Sequence, residues 1–340
     1  MKRSFVLVFL VLCVFVGYYL YDQVYLPTNS ESSETVDLVI PAGATIDSLG
    51  DLLKENDLIR NQSLFKFIAN QKKYSNGIKP GKYKVRKEIS INDLINQLRL
   101  GKANDVNFTF NNIFSFKDLA GRAGQVMAPD SIDFLEVLED KSLMDHYGFT
   151  KENYPTMFIP NTYAFKQNTN PENFVKRMAT EFGKFWNEDR TNKRKALNLT
   201  QSEIVTLASI VQAEQQAIPD EWKRIAGLYL NRVRKGIPLQ SDPTVKFAVG
   251  DWSIKRVLTK HLKTESPYNT YKVPGLPPGP ILFPDIGAVD AVLNAEKHSY
   301  YYMCAKADFS GRHEFAKNLS LHNKYAAAYR KALNERRIYN

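Results

Sequence analysis

A chain of 340 residues, 44% of them apolar, holds about two ordinary domains with ample material for packed cores. Its 46 Lys and Arg against 36 Asp and Glu leave a formal charge of +10, a surplus that favours anionic partners such as acidic polymers or lipid headgroups. A dedicated nucleic-acid reader is excluded by the lack of zinc-finger spacing, a ribonucleoprotein motif or a dense Arg stripe, and the two cysteines, Cys13 and Cys304, offer no sensible internal disulfide.

The chain opens with MKRSFVLVFLVLCVFVGYYLYDQVYLP, in which Lys2 and Arg3 precede an uncharged run from Phe5 to Leu20. Such a run, followed by tyrosines, predicts a short transmembrane helix within residues 1–27, with the N-terminus in the cytoplasm and the rest exported. No A-x-A site follows it, and Leu12 before Cys13 does not suit lipoprotein processing, so an anchor is expected rather than a cleaved signal. Residues 28–36 are Ser/Glu-rich and read as a linker.

Residues 37–102 carry a strand–helix–helix–strand plan closed by a further helix. DLVIPAG predicts a strand, and TIDSLGDLLKENDLI a helix with Ile46, Leu49, Leu52 and Leu53 on one face. SLFKFIANQ is helical, KPGKYKV turns into a strand, and SINDLINQLRLG is a helix with Ser90 as N-cap and Gly101 as stop. This is a small α+β module of a kind that binds or positions. Residues 103–195 form an intermediate region: VNFTFNNIFSFKDLAGRAGQVM looks like a worn copy of the module's opening. MFIPNTYAF is an aromatic-rich loop or short strand, and a helix enters through Asn170-Pro171.

A larger α+β domain is expected over residues 196–340. Thr200 and Glu203 make a capping box stapled by Leu199 and Ile204. Ile204, Leu207, Ala208 and Val211 then recur at helical spacing, and Glu214 continues their line. A second helix opens at Pro219, with Trp222, Ile225, Tyr229 and Val233 as its core line, and packs antiparallel to the first. IPLQSDPTV is read as an extended segment crossing back.

Two readings fit Glu214. At a frayed helix end it pairs with a lysine; in a partly dry cleft it keeps its proton to higher pH and serves as a general acid. Gln240, Ser241, Asp242 and Thr244 place an amide, hydroxyls and a carboxylate in one short run stiffened by Pro243. Such groups grip sugar hydroxyls and N-acetyl amides, although Asp-Pro is also an ordinary turn former. ESPYNTYKVPGLPPGPI is a long Tyr-containing loop, and Tyr268, Asn269 and Tyr271 suit stacking on and bonding to a sugar. Asn231 either points into a cleft beside Glu214 or faces solvent, and Tyr163 either lines the cleft or packs under it. The five histidines are scattered and give no metal-ligand spacing, so no metal or other cofactor is expected. His313 and His322 are read as capping or pairing near the C-terminal helix, and Cys304 as an inert thiol in a buried strand.

LASIVQAE, LYLNRVRKGIPLQSDPTV, SPYNTYKVPGLPPGPI and GRHEFAKNLSLHNKY, in this order, resemble the YceG-like family of membrane-anchored lytic transglycosylases. The likeness extends forward through FIPNTYAF to the anchor, and the early module resembles that family's LysM-like subdomain. The resemblance implies cleavage of the MurNAc–GlcNAc bond of peptidoglycan with 1,6-anhydro ends. Glu214 would act first as acid on the leaving oxygen and then as base on the C6 hydroxyl. It implies glycan strands as substrate, a single-pass protein of the cytoplasmic membrane with its catalytic part outside, and neighbouring glycan synthases as partners. Three positions depart from the family pattern: Gln212 and Asn161 stand where acids are common, and Asn318 where Thr is frequent. Two alternatives stay open, a muramidase using Glu214 with Asp242 and a non-catalytic glycan-binding scaffold.

Overall fold

The computed structural model describes residues 2–27, 34–41, 43–101 and 105–336, with the side chains of 2–10 and Leu20 outside the description. The predicted N-terminal helix is present as α1 (Lys2–Tyr25). Much of its apolar run therefore lies among side chains that are not described. Among the described residues no helix is long and apolar enough to cross a membrane. The linker expected at 28–36 falls mostly outside the described residues.

The order continues β1 (Thr35–Ile40), α2 (Ile46–Glu55), α3 (Gln62–Gln71), β2 (Gly81–Arg86), α4 (Ile91–Leu100) and β3 (Asp105–Phe110). Then come α5 (Phe116–Val126), α6 (Ser131–Leu138), α7 (Lys141–His146), β4 (Asn161–Lys166), α8 (Pro171–Phe185) and α9 (Glu188–Leu197). The last part holds α10 (Gln201–Glu214), α11 (Trp222–Arg234), α12 (Asp242–Val249), α13 (Thr259–Leu262), α14 (Ile286–Leu293), β5 (Tyr302–Ala305), β6 (His313–Ala316) and α15 (Leu319–Glu335). Helices beside two-stranded sheets, β1-β2, β3-β4 and β5-β6, make the class α+β.

The chain divides into two compact units, each continuous in space but not in sequence. The first comprises Met1–Phe108, Ala120–Phe134 and Tyr163–Phe174. In it β1 and β2 pair antiparallel from Thr35↔Arg86 to Ile40↔Gly81. The period of two turns Leu38 and Ile40 inward from β1, and Tyr83 and Val85 from β2. Against that face α2, α3 and α4 bury Leu49, Leu53, Phe65, Leu94, Ile95 and Leu98. The helix ends are fixed locally: Ser90 Oγ accepts the Asp93 amide at 3.1 Å, and Gly101 ends α4 at φ +61°, a conformation that favours glycine.

The second unit comprises Thr109–Leu119, Leu135–Thr162 and Val175–Asn340. Its centre is α10, which packs against α11, α12 and α14. The capping box forms as the sequence predicts, with the Thr200 amide donating to Glu203 at 2.7 Å and the Glu203 amide to Thr200 Oγ1 at 3.1 Å. The expected one-sided apolar stripe does not hold, because every residue from Ile204 to Gln212 is buried. A helix enclosed on all sides needs no polar face, so Ser209 is satisfied internally: its Oγ donates to Thr206 O and accepts the Ile281 amide. The segment IPLQSDPTV is extended only as far as Ser241; from Asp242 it is helix α12, with Pro243 in its first turn where a missing N–H costs nothing. At the C-terminus β5 and β6 form a hairpin, pairing Cys304 with Glu314 and Ala305 with His313, and α15 packs on both strands. Asn318 caps α15 by accepting the Leu321 amide at 2.9 Å. Thr caps nearly as well, which accounts for this departure from the family pattern.

Candidate active site

Glu214 is the last residue of α10, and the chain leaves the helix there because Gln215 is held elsewhere. Gln215 Nε2 donates to Glu221 Oε2 at 3.1 Å and to Gly311 O at 2.8 Å, while its own carbonyl accepts from Trp222 Nε1 at 2.7 Å. The carboxyl of Glu214 enters a cleft of about 330 Å³ in the second unit. The cleft is walled by α11, the 239–242 segment, Tyr271, the β5–β6 hairpin and α15.

Two hydroxyls meet one oxygen of Glu214. Tyr229 Oη donates to Oε1 at 2.7 Å, and Ser241 Oγ donates to the same atom at 2.6 Å. Oε2 takes no hydrogen bond from the described side chains, so the proton of the neutral acid is left on the oxygen free to meet a ligand. Burial pushes the Glu214 pKa above the ordinary carboxylic range. The Ser241 and Tyr229 hydroxyls pull it down, nearby Asp242 pushes it up, and His313 opposes the rise. The net direction is upward, as a general acid requires.

A further tier holds these donors in place. Ser241 is fully buried; its amide donates to Thr270 Oγ1 at 3.1 Å, and Thr244 Oγ1 donates to its carbonyl at 2.7 Å. Thr244 and Thr270 share a hydrogen bond of 2.8 Å. Arg232, 7% exposed, clamps the same segment by donating to Leu239 O at 2.7 Å and to Gln240 Oε1 at 2.9 Å. Gln240 itself sits at φ +53°, and its amide donates to Thr270 O at 3.0 Å. Such a conformation is unfavourable for a residue with a side chain and persists because the surroundings fix it.

Of the residues that the sequence puts forward, Glu214, Gln240, Asp242 and Tyr271 line one cleft, and Ser241 bonds to Glu214 within it. Asp242 is exposed and accepts from Tyr271 Oη at 2.6 Å. Thr244 stands behind Ser241 as support. The other four lie elsewhere. Asn231 does not enter the cleft: its amide donates to His298 O at 2.8 Å and Tyr300 O at 3.1 Å, tying α11 to the segment between α14 and β5. Asn269 is fully buried and donates to Leu262 O and Thr264 O, which shapes its own loop. Tyr268 lines a separate, mainly apolar cavity with Phe247 and Phe283, where burial pushes its hydroxyl up to about 12. Tyr163 is in β4, 7% exposed, and belongs to the first unit.

Four contributors escape sequence reasoning. Tyr229 fits the core line of α11, and its ring is indeed buried, but its hydroxyl serves Glu214. His313 and His322, expected to cap or pair near the C-terminal helix, both line the cleft, as does Cys304. Burial raises the Cys304 thiol, in keeping with low reactivity. Burial, with Arg232 and Arg330 nearby, holds His322 below the usual imidazole value. Outside the cleft wall, Gln212 makes a two-point contact with Asp285: Nε2 donates to Oδ2 at 3.1 Å, and Oε1 accepts the Asp285 amide at 2.7 Å. An amide thus does at 212 what an acid there could do only in part, by accepting.

The model for the YceG-like family matches residues 38–328. The endolytic murein transglycosylase of Bacillus subtilis strain 168 is 28% identical over 340 residues, covering 94% of this chain and 92% of its own. That of Streptococcus pneumoniae strain D39 is 27% identical over 359 residues, and there this chain spans 64% of the relative's length. A crystal structure of a YceG-like protein from Listeria monocytogenes superposes with a TM-score of 0.54 at 26% identity, covering 86% of this chain and 99% of that one.

Proposed function

This chain belongs to the YceG-like family, and from that we propose that it is an endolytic lytic transglycosylase, cutting the MurNAc–GlcNAc bond of peptidoglycan strands with Glu214. The observation that carries the reading is a single carboxyl, raised in pKa by burial, with one oxygen held by Tyr229 and Ser241 and the other unbonded. Oε2 delivers its proton to the leaving glycosidic oxygen. The carboxylate left behind keeps both hydroxyl donors, which stabilise its charge as the sugar becomes cationic. The C6 hydroxyl of the same MurNAc then closes on C1, its proton ends on Glu214, and a 1,6-anhydro ring results. An internal nucleophile held near C1 competes with bulk water by proximity, so the paired carboxylates of ordinary glycosidases are not needed.

Asp242 also lines the cleft, which keeps hydrolysis as the second reading. Its exposure and its bond to Tyr271 suit a binding residue, with Gln240 and Tyr271 as the other groups presented to the sugar. Lys2 and Arg3 before an apolar run support a single-pass anchor in the cytoplasmic membrane with the cleft outside, where nascent strands and their synthases would lie.

The test is to incubate the purified full chain, and its Glu214→Gln variant, with uncrosslinked glycan strands and weigh the fragments. Fragments one water lighter than hydrolysis products, lost in the variant, are expected. Hydrated reducing ends would establish a muramidase instead. Strands bound but never cut would leave a scaffold.

A further inference from the structure

The cleft contains a second group equipped to move a proton. His313 is fixed at two points to Glu221 and by strand pairing to Ala305 of the hairpin. Its ring Nδ1 lies 2.9 Å from Glu221 Oε2, and its amide donates to Glu221 Oε1 at 3.1 Å. Glu221 is 5% exposed and takes a further hydrogen bond from Gln215 Nε2 at 3.1 Å. Burial pushes Glu221 up, but the hydrogen bonds from His313 and Gln215 outweigh it and the net direction is downward, so it is a carboxylate. A carboxylate only accepts, and therefore Nδ1 carries the proton. That assigns the tautomer: Nε2 is the acceptor, it has no partner among the described residues, and its ring lines the same cleft as Glu214. Holding β6 to the turn before α11 would require only a hydrogen bond. A buried carboxylate is an expensive way to make one, but it is a group that fixes a histidine tautomer.

We propose that His313, oriented by Glu221, is the base that receives the C6 hydroxyl proton during ring closure, and so decides between anhydro and hydrated ends. This rests on the transglycosylase reading above and deepens it. As the C1–O4 bond breaks, Glu214 gives its proton to O4 of the departing GlcNAc. The C6 oxygen then bonds to C1 while its proton passes to Nε2 of His313. The imidazolium, stabilised by Glu221, returns that proton to the Glu214 carboxylate, so both residues are restored and no water is consumed. Acid and base are thereby separate groups in one cleft, and the hydroxyl is oriented as well as deprotonated.

The pair also specifies an unusually informative variant. In Glu221→Gln the fixed His313 amide still demands an oxygen at the Oε1 position. That places the new NH₂ at the Oε2 position, where it faces Nδ1 and displaces Gln215 Nε2, whose bond to Gly311 O remains. Nδ1 must then accept, the proton moves to Nε2, and the base is lost, with Gln215 giving up one of its two donor contacts. General-base assistance is typically worth about a hundredfold or more, so ring closure should slow by that factor while water capture of the cation does not.

The experiment measures the ratio of anhydro to hydrated ends by mass spectrometry for the full chain, Glu221→Gln and His313→Ala, with thermal melting to confirm folding. Wild type giving anhydro ends and both folded variants cutting more slowly, with mostly hydrated ends, is the expected result. Variants that cut with an unchanged share of anhydro ends would overturn the role of His313 and leave the transglycosylase reading intact. Folded variants with no cleavage at all would also overturn it, since His313 would then act in bond breaking. Hydrated ends from wild type itself would overturn the transglycosylase reading, and this inference with it.

Discussion

The β1–β2 module and the Glu214 cleft are built from opposite materials. In the module the buried side chains are apolar or tyrosine, apart from Ser90 at a helix cap. Around the cleft Gln215, Glu221, Arg232, Ser241, Thr244 and Thr270 are all buried, and each has a hydrogen-bond partner elsewhere in the site, with Arg232 Nε left without one among the described residues. The module is held by removal of apolar area from water, which is forgiving of detail. The cleft is held by directional bonds, each of which costs if left unmade. A change in the first region should therefore cost stability and spare chemistry, and a change in the second should do the reverse.

The largest effect is expected from Glu214→Gln, which removes the acid that protonates the leaving oxygen. Cleavage should fall about a thousandfold or more, within the range general acid catalysis spans, while the melting temperature holds or rises. Leu94→Ala in the module is the mirror case. Leu94 is fully buried, so its loss should cost about 2–5 kcal/mol in denaturant unfolding, with kcat per folded molecule unchanged. A matching fall in kcat would erase the distinction between the two regions.

Tyr229→Phe sharpens the comparison, because its ring belongs to the core and its hydroxyl to the site. Losing a hydrogen bond to a charged group, worth about 1.5–3 kcal/mol, should slow cleavage some tenfold to a hundredfold. Its direction with pH is also fixed. The hydroxyl favours the carboxylate form, so its removal raises the Glu214 pKa further. An acid must be protonated to act, and the alkaline limb of the kcat/KM profile should accordingly move to higher pH. A limb moving to lower pH would contradict the geometry.

Gln212→Glu places a second carboxyl against Asp285, whose own pKa is already pushed up by burial. Two carboxyls in contact cannot both ionise readily, so the folded pair titrates above its unfolded values. Stability that is intact in acid should be lost as pH rises through the folded pKa of the pair. About 1–3 kcal/mol should be missing at neutral pH, the scale of a lost donor and an unmet acceptor. Parallel denaturation of the variant and wild type at acid and neutral pH checks the sign. Asn318→Thr is the smallest change, within a few tenths of a kcal/mol, since one cap replaces another.

What the sequence discloses follows the same division. Periodicity and caps are local, so the start of α2, both ends of α3 and α4 and the Thr200–Glu203 box are legible to within a residue or two, while α2 stops at Glu55, four residues short of the expected Ile59. Glu214 and the run from Gln240 to Asp242 are legible as chemistry because unusual groups stand together in short stretches. Asn231 and Asn269 mislead for a physical reason: an amide beside a candidate site looks the same whether it serves a ligand or two backbone carbonyls. Tyr229 misleads in the opposite way, since an aromatic at core spacing gives no sign of where its hydroxyl points. The Glu221–His313 pair is illegible because its members stand 92 residues apart and meet only through the hairpin.

The account depends on Glu214 keeping its proton in a cleft that also supplies two donors to its carboxylate. Titrating that carboxyl directly, by the carbon resonance of labelled glutamate in the full chain with Glu214→Gln to identify the signal, tests this without substrate. The midpoint should lie above the ordinary glutamate value of 4.5. A midpoint at or below that value would show the two hydroxyls outweighing burial, and Glu214 would not be the acid.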